Sequence, residues 1–213
     1  MNYLKVLPKN NFTKPLLYSY RRCPYAMRTR MILLQEGIDF DIYEISLKDK
    51  PSQMLKLSAK GTVPILVFKD IVIDESLEII SWAFSQSKNS TFHKLKKNEI
   101  DLANELIKKN DNDFKLSLDR YKYHIRYPEK SQKSWRDECL FFMEILEMYL
   151  YKNRFLIKDE ITYADIAIFP FVRQFSNVDL EAFKKLNYSK TKKWLESLVN
   201  NDLFKKIMAK PKI

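Results

Sequence analysis

Glycine is nearly absent from this chain: Gly37 and Gly61 are the only two in 213 residues. A glycine-rich phosphate loop or a dinucleotide fingerprint needs glycines a few positions apart, so both are excluded. Histidine is equally scarce. His93 and His124 stand at metal-ligand spacing neither to each other nor to a cysteine, which argues against a zinc site, and no metal is expected. The two cysteines, Cys23 and Cys139, lie too far apart to be a disulfide framework and fit a reducing compartment. No run of 18 apolar residues occurs, and the opening MNYLKVLPKNNFTKP has lysines and prolines where a signal peptide carries its apolar core. The expectation is a cytoplasmic protein that neither spans nor lies on a membrane.

Acidic charge is also in deficit, with 38 Lys and Arg against 27 Asp and Glu, a net charge of +11. The excess is spread along the chain, and no five like charges run together. It reads as lysine on the solvated faces of helices, so a nucleic-acid partner is not expected, while a bias towards small anionic ligands fits.

The apolar residues alternate or recur at helical spacing in a definite order. LLYSY after Pro15 is a short buried strand, and PYAMRTRMILLQEG is a helix that stops at Gly37. A second strand covers Phe40 to Ile45, and PSQMLKLS is a short helix opening on Pro51. PILVF and IVI, separated by Lys69 and Asp70, form a hairpin that lacks the usual Asn-Gly or Asp-Gly turn, and ESLEIISWAFSQ is a closing helix. The order β-α-β-α-β-β-α defines a first domain over residues 1–86.

Residues 87–93 are polar and read as a linker, and residues 94–213 are helical throughout. Two long antiparallel helices are expected, with apolar positions from 95 to 121 on one and Trp135, Cys139, Phe142, Leu146 and Tyr149 on the other. A helix starting at Thr162 has a capping box with Asp165, and Pro170 inside it must be held by packing. One last helix or helix pair follows. Cys139 falls on the apolar stripe and is expected to be a core thiol.

Cys23 follows the first strand and opens the first helix, between Arg21, Arg22, Pro24 and Arg28. Unpaired N–H groups, the helix dipole and cations there favour a thiolate. Three residues on stands Ala26, so no resolving cysteine follows and a second thiol must come from another molecule.

CPYA after the first strand, Val63-Pro64 opening the third and Asp74-Glu75-Ser76 opening the last helix of the first domain together resemble the glutathione transferases. The nearest likeness is to cysteine-type, omega-like bacterial members. The resemblance implies an α/β thioredoxin-like domain followed by an all-α domain, and a homodimer with the first domain of one subunit on the helical domain of the other. It also implies that glutathione is a cosubstrate, with Cys23 as the catalytic thiol. Val63 and Pro64, in the family a cis pair, would present backbone to the cysteinyl part of glutathione. Glu75 would meet the γ-glutamyl ammonium and Ser76 its carboxylate. Lys50 would reach the glycyl carboxylate, and Tyr25 would be an aromatic wall where omega forms have phenylalanine.

DRYKYHIRY, residues 119–127, interleaves aromatic and basic groups as an RNA-binding surface does, and it also reads as a plain inter-helix loop. The family places its second-substrate pocket near here, which singles out Tyr121 and His124. The expected activity is thiol transfer or reduction on a small electrophilic or disulfide substrate through a mixed disulfide on Cys23. The alternative is a non-catalytic binding module for a macromolecule, similar to the stringent starvation proteins.

Overall fold

A computed structural model of the chain describes residues 1–7, 13–87 and 90–210. Its elements begin with β1 (Asn2–Tyr3), β2 (Leu16–Ser19), α1 (Pro24–Gln35), β3 (Asp41–Glu44), α2 (Ser52–Leu57), β4 (Ile65–Phe68), β5 (Ile71–Ile73) and α3 (Ser76–Gln86). The order from β2 to α3 is the expected one. The strand β1 is an addition: only two residues long, it is too short to show an alternating pattern, yet it pairs in parallel with β3 through Asn2 opposite Asp41 and Tyr3 opposite Ile42.

The sheet order is β1-β3-β2-β4-β5, parallel on the β1, β3 and β2 side and antiparallel from β2 through β4 to β5. The central strand β2 is buried along its whole length, which is why LLYS reads as a continuous run rather than an alternation. Leu16 and Tyr18 pack with Ile45, Met54, Ile65 and Val67. The β4–β5 turn is made without glycine because Lys69 itself takes a left-handed conformation, φ 52°. The helix α1 stops where Gly37, at φ 70°, donates its N–H to the Leu34 carbonyl.

The remaining elements are a 3-10 turn (Thr91–Lys94), α4 (Lys97–Lys109), a π turn (Asn110–Phe114), α5 (Lys115–Lys122), a second 3-10 turn (His124–Arg126), α6 (Gln132–Lys152), α7 (Tyr163–Ser176), α8 (Leu180–Lys185), α9 (Ser189–Val199) and α10 (Asp202–Met208). The first long helix is thus interrupted at NDNDF by a π turn, where Asn110 is fully buried. Ring contact of Phe114 with Phe142 and the hydrogen bond from Ser117 to Glu138 show that α5 and α6 run antiparallel. On α6, Trp135, Cys139, Phe142 and Leu146 of the expected stripe are buried, while Tyr149 at its end is only half-buried. The helix α7 runs unbroken through Pro170, every residue from Tyr163 to Val172 being buried.

The contacts divide the chain into two units. One comprises Met1–His93 with the segment from Asn201 onward, and the other Lys94–Asn200. The helix α10 packs on α1 in the first unit. Part of the expected linker, residues 88–89, lies outside the described residues.

Candidate active site

The turn after β2 is closed by the Cys23 N–H donating to the Tyr20 carbonyl at 2.9 Å, which sets Cys23 at the N-cap of α1 with extended backbone (φ −75°, ψ 123°). Its side chain makes no cap bond and points instead to a neighbouring loop, where Sγ donates to the Val63 carbonyl at 3.6 Å. The Val63–Pro64 peptide is cis. The two sequence positions expected to share one ligand are therefore side by side.

The start of α3 is tied to α1 by a buried arginine. Arg28 donates from Nε at 3.1 Å and Nη2 at 2.7 Å to the Ser76 hydroxyl, and its guanidinium lies 5.0 Å over the Tyr25 ring. Because the Ser76 oxygen accepts both bonds, its own O–H remains the donor at the first position of α3. Glu75, the N-cap of α3, is exposed and takes an ion pair from Lys60 at 2.5 Å. Lys60 also reaches Asp74 at 3.2 Å, and Asp74 accepts from the Ser58 hydroxyl at 2.6 Å. These bonds hold the Asp74 carboxyl below its usual range and raise Lys60 above its own. An ammonium already occupies the position opposite Glu75.

Lys50 is exposed beside the same loop, its Nζ 3.8 Å from where a side chain on Gly61 would begin. Tyr121 and His124 belong to the second unit. Tyr121 is buried against the Phe175 ring, 5.7 Å between centroids, while His124 opens a 3-10 turn with its Nδ1 buried and unpaired. The structure thus sets Cys23 against Val63 of the cis Val63–Pro64 pair and links Tyr25 to Ser76 through Arg28, with Glu75 the N-cap of the helix that Ser76 opens.

The arginines around Cys23 differ from their apparent roles. Arg22 donates to the Tyr20 hydroxyl at 2.7 Å, and Arg21 to the Met208 carbonyl at 3.2 Å. The cation that sequence reading missed is Arg30, fully buried and bonded to the Ser19 hydroxyl and, at 2.7 Å, to the Arg21 carbonyl. Burial lowers the pKa of its guanidinium, while Tyr3, Glu44 and Cys23 act to raise it. Lys60 was missed too. Two arginines inside an otherwise apolar helical stretch were the available signal for Arg28 and Arg30; a lone lysine in SAKG gave none. Among the described residues no group of three or more His, Cys, Asp or Glu could hold a metal, and no helix is long and apolar enough to cross a membrane.

Two family models match the chain: Glutathione S-transferase, N-terminal domain, over residues 17–91, and Glutathione S-transferase, C-terminal domain, over residues 112–213. Mouse glutathione S-transferase omega-1 is 42% identical over 50 residues, which is 24% of this chain and 21% of that protein. Glutathione transferase F2 from Populus trichocarpa superposes with a TM-score of 0.77 at 18% identity, over 91% of this chain and 97% of the other. A family member from Pseudomonas fluorescens, solved with two glutathione bound, gives a TM-score of 0.78 at 14% identity and covers 92% of each chain.

Proposed function

The chain belongs to the glutathione transferase superfamily, and we propose that within it Cys23 makes the protein a glutathione-dependent thiol transferase or reductase rather than a conjugating enzyme. The observation that carries this reading is the thiol at the N-cap of α1, directed at the Val63 carbonyl. A thiolate there attacks the disulfide of a glutathionylated substrate, R–S–SG. The Cys23–SG bond forms, the S–S bond breaks, and the substrate leaves as RS⁻. A second glutathione thiolate then attacks the Cys23–SG disulfide, so that oxidised glutathione departs and the Cys23 thiolate is regenerated. A dehydroascorbate-type substrate brings no glutathionyl group and so takes two glutathiones. The Cys23 thiolate adds to a substrate carbonyl, and a first glutathione thiolate attacks that sulfur so that the C–S bond breaks and the reduced substrate leaves. A second glutathione thiolate releases Cys23 from the resulting Cys23–SG disulfide, and oxidised glutathione departs.

In this reading the cysteinyl part of glutathione lies along the backbone of Val63 and Pro64, and Tyr25 walls it. Once Cys23 ionises it can no longer donate to the Val63 carbonyl, which becomes an acceptor for the peptide N–H of glutathione. The γ-glutamyl carboxylate receives the Ser76 hydroxyl and the first-turn N–H groups of α3. Its ammonium meets Glu75, and Lys50 reaches the glycyl carboxylate. The charge of the buried Arg30, which interacts with Cys23, favours the thiolate. Tyr121 and His124 are assigned to the second-substrate side.

Calorimetry tests the placement of the peptide. Glu75→Ala is expected to weaken glutathione binding about tenfold, the loss of one charge-assisted hydrogen bond. Cys23→Ser should leave binding nearly unchanged, and equal losses in both variants would show the peptide to be misplaced. Lys60→Ala should act in the opposite direction, tightening binding about twofold, because an exposed ion pair with Glu75 no longer competes with the ligand ammonium. Retention on a glutathione column, with elution by free glutathione, separates the enzyme from a non-catalytic module.

Following the family, the protein is expected to act in the cytoplasm as a two-fold dimer. Light scattering that returns a 25.6 kDa particle at micromolar concentration contradicts the dimer.

A further inference from the structure

The helical unit contains a cleft of about 440 Å³ between the last turn of α6, the segment that follows it and α9. Four cations line it: Lys152, Arg154, Lys190 and Lys193. They face one carboxylate, Asp159, whose Oδ1 already accepts the Arg154 backbone N–H at 2.8 Å. Among the described residues none of the four cations is paired with a carboxylate. Elsewhere in the same unit lysines do find acidic partners, as Lys97 does with Asp101 and Lys115 with Asp119. The distribution is therefore local: the cleft sets four cations against the single carboxylate of Asp159.

The walls are fixed by two buried carboxylates. Glu147 of α6 accepts the backbone N–H groups of Lys190 at 2.9 Å and Thr191 at 2.7 Å, together with the Thr191 hydroxyl at 2.7 Å. This bolts the start of α9, and with it Lys190, to α6. Asp165 accepts the Trp194 indole N–H and the Leu156 N–H, both at 2.9 Å, which holds α9 against the segment that carries Arg154. Lys190 rests 5.3 Å over the Tyr151 ring and Arg154 5.4 Å over the Phe155 ring. Cations presented from a rigid frame repel one another within a Debye length of about 8 Å. An anion that binds among them relieves that repulsion and stabilises the fold by linkage. The volume lies in the range of small-ligand sites, about 300–1,000 Å³.

We propose that this cleft binds a compact polyanion of the diphosphate class. A single negative charge leaves most of the repulsion in place, whereas two linked phosphoryl groups offer enough acceptor oxygens for the lysines and the guanidinium together. The site lies wholly within the helical unit and does not depend on the thiol chemistry of Cys23.

The test is calorimetric titration of the full chain with inorganic pyrophosphate at constant ionic strength, set by sodium chloride. The expected result is one pyrophosphate per chain, with affinity falling at least about tenfold in the Arg154→Ser, Lys193→Ser double variant. A second double variant, Lys108→Ser with Lys109→Ser, removes the same charge from α4 outside the cleft and should bind as the native protein does. ADP is titrated in parallel: tighter binding than pyrophosphate identifies a nucleotide as the source of the diphosphate, and equal binding identifies the free ion. Undiminished pyrophosphate binding in the Arg154 and Lys193 variant overturns the proposal. So does an equal loss in the Lys108 and Lys109 control, which would reduce the effect to net charge.

Discussion

Replacing Cys23 with serine is expected to lower thiol transfer by about three orders of magnitude or more, because the sulfur that forms the mixed disulfide is gone. The hydroxyl that replaces it remains a donor at the N-terminus of α1, so weak conjugation of a chloronitrobenzene should persist or rise. After incubation with oxidised glutathione, intact mass should show one added glutathione on the native protein and none on Cys23→Ser. Cys139→Ser is the control and should be labelled like the native chain. Cys139 is fully buried on α6, and burial pushes its thiol up to about 12, so at pH 8 only about one molecule in ten thousand carries a thiolate there. Labelling at Cys139 in place of Cys23 would sink the assignment.

The position of Cys23 also decides what a lowered pKa accomplishes. Moving a thiol from about 8.5 to about 6 raises its thiolate fraction at pH 7 some 30-fold, while a Brønsted slope near 0.45 removes roughly 13-fold in nucleophilicity. Attack on the substrate gains little. The second step gains more, since Cys23 must then leave as thiolate when glutathione attacks its sulfur partner. In the folded protein iodoacetamide should accordingly alkylate the partly exposed Cys23 and leave the buried Cys139 unmodified.

The first domain was legible because its elements satisfy local rules. Leu16 to Ser19 is uniformly apolar or small and becomes a central strand, the helix begins at Pro24, and Gly37 ends it in a left-handed conformation. The π turn at Asn110–Phe114 was not legible. It preserves the apolar stripe across Leu106, Phe114 and Leu118, so the spacing alone is compatible with a regular helix. The placement of α10 on α1 was equally hidden, because an amphipathic helix announces an apolar face but not its partner. At the candidate site, Cys23 stands out by itself because a thiol at a helix start among cations is chemically distinctive, whereas Val63 and Ser76 were singled out by the family resemblance. Arg28 was visible as a cation near Cys23, but its bond to Ser76, like that of Arg30 to Ser19 and of Lys60 to Glu75, was not, because each rests on a side-chain contact between separate elements.

The largest effect on stability is expected at Asp165. Its capping box with Thr162 was readable, but the structure gives its carboxylate far more to do. Fully buried, it accepts from the Thr162 N–H at 2.8 Å, the Thr162 hydroxyl at 2.9 Å, the Leu156 N–H at 2.9 Å and the Trp194 indole at 2.9 Å. One side chain thus joins the start of α7, the segment before it and α9. Asp165→Ala leaves two backbone N–H groups and an indole N–H without acceptors in the interior, each costing about 1–3 kcal/mol before water enters. The Thr162 N–H among them is the reciprocal half of the capping box, so no separate capping loss is added. The expected loss is about 3–5 kcal/mol, the range for breaking a buried charged network. Asp165→Asn retains one oxygen for the Leu156 and Trp194 donors but turns an amide NH₂ towards the Thr162 N–H, so its loss should be intermediate. Asp101→Ala, which removes only the exposed pair with Lys97, should leave the urea midpoint unchanged. Two of the three tryptophans, Trp135 and Trp194, lie in the helical unit, and their fluorescence follows its unfolding. An Asp165→Ala midpoint equal to that of Asp101→Ala would show that the four hydrogen bonds do not hold α7 to α9.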